Sequence, residues 1–480
     1  MLRASAKGSQ RVITTRIDAF GSFLLVIITF VVCVEYLGFK QALGSGIVIA
    51  LSLWLTKKST PLFNFRRVTI VNFWYLTYLT MIFLPAFIVF ADQAGPYRPR
   101  FLFAVHTALI TVPVGCLSAN AFCRFRRLET EQFFRAKIVP INNPKRLRTI
   151  YLFLLIPSIF LSVIYIRSID TIPLFYLWRN PGEYLQVALL REDSFKLLDS
   201  PLLYVFYVLR SVVFPFLVIV SLGVYIQTRK KLWRNLFIGT TAIALFYCSL
   251  SAAKLPVAAI VALIGFLIYF IRGGIISRRT VAILLIGVLL FPLGVAVTAY
   301  QGLGTLGDAV SDIVERLFYT PSEVAYYYFE VFPDHHQYLM GRSIDKFARL
   351  MGWAPFNTPL YVGGYAARPS DLDTVAFNSA FIADLYADFG IPGVLLGGVL
   401  AGFVMQWFHI FTVRRKKTVC SVALYSFLVF TFWFLNSTSL PIVLASNGAI
   451  LVTAVSWWFD RQPVHASKRT LRESLEPAAS

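Results

Sequence analysis

Two aspartates, Asp384 and Asp388, stand four residues apart in Ala380-Phe381-Ile382-Ala383-Asp384-Leu385-Tyr386-Ala387-Asp388-Phe389-Gly390, so a helix would carry both carboxylates on one face. Like charges at that spacing repel, which disfavours their joint ionisation and suits one of them to take a proton. Asp384 is the first candidate for that base, because Asp388 reads equally well as part of a solvated face. The adjacent histidines His335 and His336 are the second candidate. Neighbouring residues are poorly placed to hold one metal, and no cysteine or acidic cluster frames them. They read either as a proton acceptor or anion contact, or as two exposed loop histidines.

Cations form the next group. Arg210 follows the apolar run Leu203-Tyr204-Val205-Phe206-Tyr207-Val208-Leu209, and an arginine at membrane depth is costly unless it is paired or faces a wet cavity; the alternative is snorkelling to the surface. Lys254 starts another apolar run and is shallower. Together with Arg342 and Arg368 in the polar stretch beyond, and with Arg316, Lys346 and Arg349, they make a set able to hold a pyrophosphate. Tyr327, Tyr365, Tyr386 and Asn378 lie in the same tyrosine-dense stretch. Such rings suit stacking on sugars, and they equally suit a membrane interface.

The elements that must position these residues are membrane helices. The chain is 57% hydrophobic and its apolar runs recur at lengths of about 20 residues, enough to cross a hydrocarbon core of about 30 Å. Spans are expected near 17–36, 41–56, 68–91, 101–123, 149–168, 202–226, 233–251, 254–272, 280–300, 391–413, 418–435 and 439–459. The result is an all-α polytopic protein of about twelve spans, one integral membrane domain over 1–480. A net charge of +21 would raise the question of nucleic acid, but most of the basic residues sit in short connectors on one side of the spans. That pattern sets orientation in a membrane, so no nucleic-acid partner is expected. It puts both termini inside and leaves two loops outside, a small one at 168–201 and a large one at 300–393. The tail 461–480 is polar and reads as disordered. The five cysteines show no disulfide or zinc spacing.

Inside the large loop, Thr320-Pro321-Ser322-Glu323 predicts a helix start by a capping box, running to about Val331. Ser343 predicts a second start, with Gly352 ending it, and Asp373 or Thr374 a third that runs to Phe389 and stops at Gly390. That last helix is amphipathic and is expected to lie along the membrane surface. Residues 352–372 show no regular pattern. Gly302-Leu303-Gly304-Thr305-Leu306-Gly307 matches a dinucleotide fingerprint by letter but lacks the strand before it, and Asn436-Ser437-Thr438 matches a glycosylation acceptor by chance.

The segment from Phe377 to Gly393, Phe377-Asn378-Ser379-Ala380-Phe381-Ile382-Ala383-Asp384-Leu385-Tyr386-Ala387-Asp388-Phe389-Gly390-Ile391-Pro392-Gly393, followed by a glycine-rich span, resembles the end of the large periplasmic loop in Wzy-type oligosaccharide repeat-unit polymerases, relatives of the O-antigen ligases. Lys254 stands where such proteins carry a basic residue, and the order of spans and loop is similar along most of the chain. The sequence departs in having lysine where arginine is commoner, and Phe377 or Ser379 where ligases have a histidine. The resemblance implies a GT-C-like, metal-independent glycosyltransferase without a cofactor, at the periplasmic face of a bacterial inner membrane. Its partners would be an undecaprenyl-pyrophosphate-linked donor and acceptor and membrane lipids, with a flippase and a chain-length regulator beside it. Arg210 and Lys254, with Arg342 and Arg368, would hold the pyrophosphate; Asp384, or His335 or His336, would take the acceptor's proton. An O-antigen-ligase-like transferase and a lipid or sugar transporter are the alternatives.

Overall fold

The computed structural model describes residues 22–60, 68–93, 95–140, 143–180, 207–250, 254–274, 314–366 and 376–460, with a few positions in 183–205 and Ser311. All regular structure among them is helical: α1 (Ser22–Leu37), α2 (Phe39–Ser59), α3 (Ile70–Asp92), α4 (Arg98–Phe122), α5 (Arg127–Arg135), α6 (Pro144–Ser168), α7 (Pro173–Arg179), α8 (Leu209–Thr228), α9 (Lys231–Ser249), α10 (Lys254–Ile271), α11 (Thr320–Val331), α12 (Asp345–Leu350), α13 (Thr358–Ala366), α14 (Phe381–Val413), α15 (Val419–Trp433), α16 (Leu440–Leu444) and α17 (Ala449–Asp460). Among the described residues, eight helical stretches are long and apolar enough to cross a membrane, and α1 and most of α10 are shorter apolar helices. The chain is a multi-pass membrane protein. Of the twelve expected spans, 233–251 falls on α9, which is not among the eight, and 280–300 lies outside the described residues. So do the glycine-rich 302–307 segment and the tail 461–480.

Proline shapes three of these helices in the same way. The π turns Leu79–Phe83, Leu209–Val213 and Glu315–Tyr319 each precede a proline by two residues, at Pro85, Pro215 and Pro321. A proline ring collides with the carbonyl four residues back and brings no N–H, and one widened turn relieves both. The α-helix expected from Thr320 to Val331 is present as α11, but its capping box is not: no side chain caps its start. The chain enters α11 from the π turn already in helical geometry, and Ser322 ties it to α3 by donating its hydroxyl to Ile82 O at 3.1 Å.

Glycine sets the packing of α14. Added Cβ atoms at Gly402 and Gly115 would stand 2.0 Å from Val112 O and from Val399 O, so α4 and α14 touch backbone to backbone. Gly398 and Gly402 supply the small-xxx-small face such crossings use. At Gly390 the backbone leaves helical geometry (φ 66°, ψ −155°). Leu385 then folds back against Gly397, where a Cβ would meet its Cδ1 at 2.4 Å. The segment before the break is not a surface helix starting at 374. It begins at Phe381, and Phe381, Ile382, Ala383, Tyr386, Ala387 and Asp388 are buried in the bundle. Residues 358–366, read as irregular, form α13, with Asn357 Oδ1 accepting from Leu360 N at 3.3 Å at its start.

The two ends of the bundle differ chemically. At one end the basic connectors meet each other: Arg414 pairs with Glu129 at 2.8 Å, Arg415 with Asp460 at 2.9 Å, and buried Lys417 donates to Phe134 O at 3.1 Å. At the other end α11 packs on the starts of α4 and α14, through Phe101 and Tyr386, and carries α13 beside it.

Candidate functional site

Helix α11 organises the second end, because consecutive residues of Tyr326-Tyr327-Tyr328-Phe329-Glu330 reach different neighbours. Phe329 stacks on Tyr386 with ring centroids 4.0 Å apart. Tyr328 donates to Phe377 O at 2.7 Å, and Tyr327 packs on the Phe377 ring at 5.8 Å. Glu330 accepts from Tyr365 Oη at 3.3 Å, and that hydroxyl lies 3.0 Å from His335 Nε2. Partial burial, then the Glu330 charge, pushes the Tyr365 phenol up to about 12. Tyr97 lies beside Asp334 and Glu330, and burial followed by those carboxylates raises its phenol too. Arg100 reaches Asp334 at 3.9 Å and lies beside Tyr386.

The two aspartates part company here. Asp388 is buried, and its carboxylate accepts from Gly341 N at 3.1 Å, Ser343 N at 3.4 Å and the Ser343 hydroxyl. Main-chain bonds from Leu339 N to Ala387 O and from Met340 N to Asp388 O extend that clamp. Asp388 is thus a structural clamp and not a solvated face, and Ser343 bonds to it while α12 begins after Ile344. Asp384 is half-buried, faces the Asp388 charge and lies beside Tyr328. It takes no hydrogen bond and no ion pair among the described residues, which leaves both oxygens for a ligand.

Of the other expected residues, His335 joins Tyr365, whereas His336 is wedged by its ring against Phe356 at 4.7 Å and Phe332 at 5.6 Å and donates from Nδ1 to Gln337 O. That wedge makes His336 a packing residue. Tyr386 is buried against Phe329, so that face of its ring is occupied. Asn378 is exposed beside this region, and Arg342 is half-buried with its Nε toward Leu339 O. Arg368 lies outside the described residues, as does the side chain of Lys254, whose backbone starts α10. Arg210 is 3% exposed in its π turn, with buried Nε unpartnered among the described residues and the Tyr207 ring 5.8 Å from its guanidinium carbon. It packs near α6 and α9, whereas Asp384 packs near α3, α4 and α11, so the two belong to different neighbourhoods.

Sequence reasoning missed Glu330, Asp334, Tyr97, Arg98 and Arg100. A signal was present: Arg98 and Arg100 interrupt a connector on the side where the positive-inside pattern places few cations. Against protein-family models, curated proteins and solved structures, the chain matches none.

Proposed function

We propose that the protein is a membrane glycosyltransferase that polymerises undecaprenyl-pyrophosphate-linked oligosaccharide repeat units at the periplasmic face of a bacterial inner membrane. The observation that carries this reading is Asp384: a half-buried carboxylate without a hydrogen-bond partner among the described residues, on the fold-back helix whose sequence resembles the Wzy-type polymerases. In this reaction an acceptor sugar hydroxyl loses its proton to Asp384 as its oxygen bonds to the donor's anomeric carbon. The bond from that carbon to the pyrophosphate oxygen breaks, and undecaprenyl pyrophosphate leaves. A partly desolvated base next to a second carboxylate suits that proton transfer. In this reading Arg210, with Lys254, answers the leaving charge, since a buried guanidinium strengthens the pull on an anion in a low dielectric. The donor has to bridge the Arg210 neighbourhood by α6 and α9 and the Asp384 neighbourhood by α11. Tyr327 and Tyr365 offer rings for the glycan.

Deleting the gene and resolving the surface glycan on a gel tests this. A ladder collapsing to single repeats supports polymerisation. Loss of all attached glycan with free polymer accumulating would make the enzyme a ligase, and an unchanged ladder would exclude both.

A further inference from the structure

The helices α2 and α4 run side by side from the tyrosine end and leave a groove of about 420 Å³ between them, within the range of ligand pockets. Its wall runs from Pro99 down to Ile110, about 16 Å along a helix. On α2 the groove exists because Gly44 has no side chain, and a Cβ there meets nothing within 4 Å. The polar side chains in the wall are Gln41, Ser45, His106 and Thr107, and both nitrogens of His106 are satisfied within the protein, Nε2 at 2.9 Å from Ser45 Oγ and Nδ1 at 2.7 Å from Leu102 O. His106 therefore needs no water, Gln41 is exposed, and most of the remaining wall is apolar, so an apolar chain can lie along it.

The mouth is cationic. Phe90 forms its rim, and Arg98 lies over that ring at 5.1 Å while donating to Phe90 O and Gly95 O. Both acceptors are carbonyls, so the guanidinium charge is not neutralised by a carboxylate among the described residues. Two residues on, Arg100 holds Asp334 only at 3.9 Å and lies beside Tyr386. The mouth is thus continuous with the Tyr97, Glu330 and Tyr365 cluster.

We propose that this groove seats the isoprenoid tail of the polyprenyl-phosphate-linked acceptor, with its first phosphate at Arg98 and Arg100, the donor's pyrophosphate being the one assigned to Arg210 and Lys254. The inference rests on the transferase reading. Charge at the mouth selects a phosphate-headed lipid, and continuity with the tyrosine cluster selects the lipid that carries the glycan over a bulk phospholipid, whose headgroup has no reason to sit there.

Undecaprenyl phosphate binding to the purified full-length protein in phosphatidylcholine nanodiscs is the test. Gly44→Phe, at a position where a Cβ meets nothing within 4 Å, puts a ring into the groove and is expected to weaken binding at least tenfold. Gly239→Phe, at a glycine on α9 that also has nothing within 4 Å, is expected to bind like the wild type. Arg98→Gln should weaken undecaprenyl phosphate binding and leave undecaprenol unaffected. Wild-type binding in both Gly44→Phe and Arg98→Gln, or equal competition by phosphatidylglycerol, overturns the proposal. The readout needs no transfer: an unchanged glycan ladder after gene deletion with binding lost in Gly44→Phe refutes the transferase and keeps the groove, and a collapsed ladder with binding intact does the reverse.

Discussion

Leu385 touches Gly397 although twelve residues separate them, a rise of about 18 Å in a straight helix. The contact exists because the chain turns back at Gly390, whose φ of 66° is open to glycine. It fixes where Asp384 stands. Gly397→Val would drive a branched side chain into Leu385 and is expected to cost about 1–3 kcal/mol, as overpacking does. Leu385→Ala in the same chain should return most of that loss. Thermal unfolding of the two single variants and the double variant measures the coupling, and additive losses would mean that the fold-back is not formed.

Asp384 and Asp388 should separate stability from activity. Asp388→Asn weakens a buried clamp of three hydrogen bonds onto residues 341–343 and is expected to cost about 1–3 kcal/mol. Asp384→Asn breaks no hydrogen bond among the described residues and removes a like charge four residues away, so melting should stay put or rise while polymer formation is lost. Full-length polymer from an Asp384→Asn strain would remove Asp384 from the chemistry.

The helical class and the membrane spans were legible because apolar length and charge placement are local signals that a bilayer imposes directly. The stop at Gly390 was legible too, through a Gly-Ile-Pro sequence. The fold-back was not, since it depends on Gly393 and Gly397 being small on a different turn of the same helix. At Thr320 the local pattern gave the start of the α-helix but not the π turn that leads into it, so the cap it promised is absent. Helix α13 was hidden by Gly363 and Gly364, although Asn357-Thr358-Pro359 announces it. The tyrosine and acid cluster joins residues from 97 to 365, and no sequence spacing encodes that meeting.

Lys417 gives the basic end a pH dependence. Its ammonium is buried beside the Phe133 ring and donates to Phe134 O, and burial lowers it to about 8 from the usual 10.5. Between those values the unfolded chain holds a proton that the folded chain has released. Unfolding free energy therefore rises with pH across that window, by up to about 1.4 kcal/mol per pH unit, and this contribution is flat below about pH 8. Lys417→Met removes this slope. The stability gap between the variant and the wild type, measured by chemical unfolding from pH 7 to 9.5, should shift toward the wild type above pH 8. Parallel curves would show that Lys417 keeps an ordinary ammonium in the fold.

Arg210 is the sharpest test of the leaving-group side. Its Nε is buried without a hydrogen-bond partner among the described residues, a costly arrangement that a purely structural residue gives no reason to keep. Arg210→Met retains much of the stem volume and deletes the charge, so the melting temperature in detergent should hold or rise. If Arg210 answers the pyrophosphate, polymer should vanish with expression unchanged, and Arg210→Lys should recover part of it, because a point charge replaces some of the attraction and none of the bidentate geometry. If Arg210 only packs, Met should support full polymer. Melting and glycan length measured on the same three proteins decide between these outcomes.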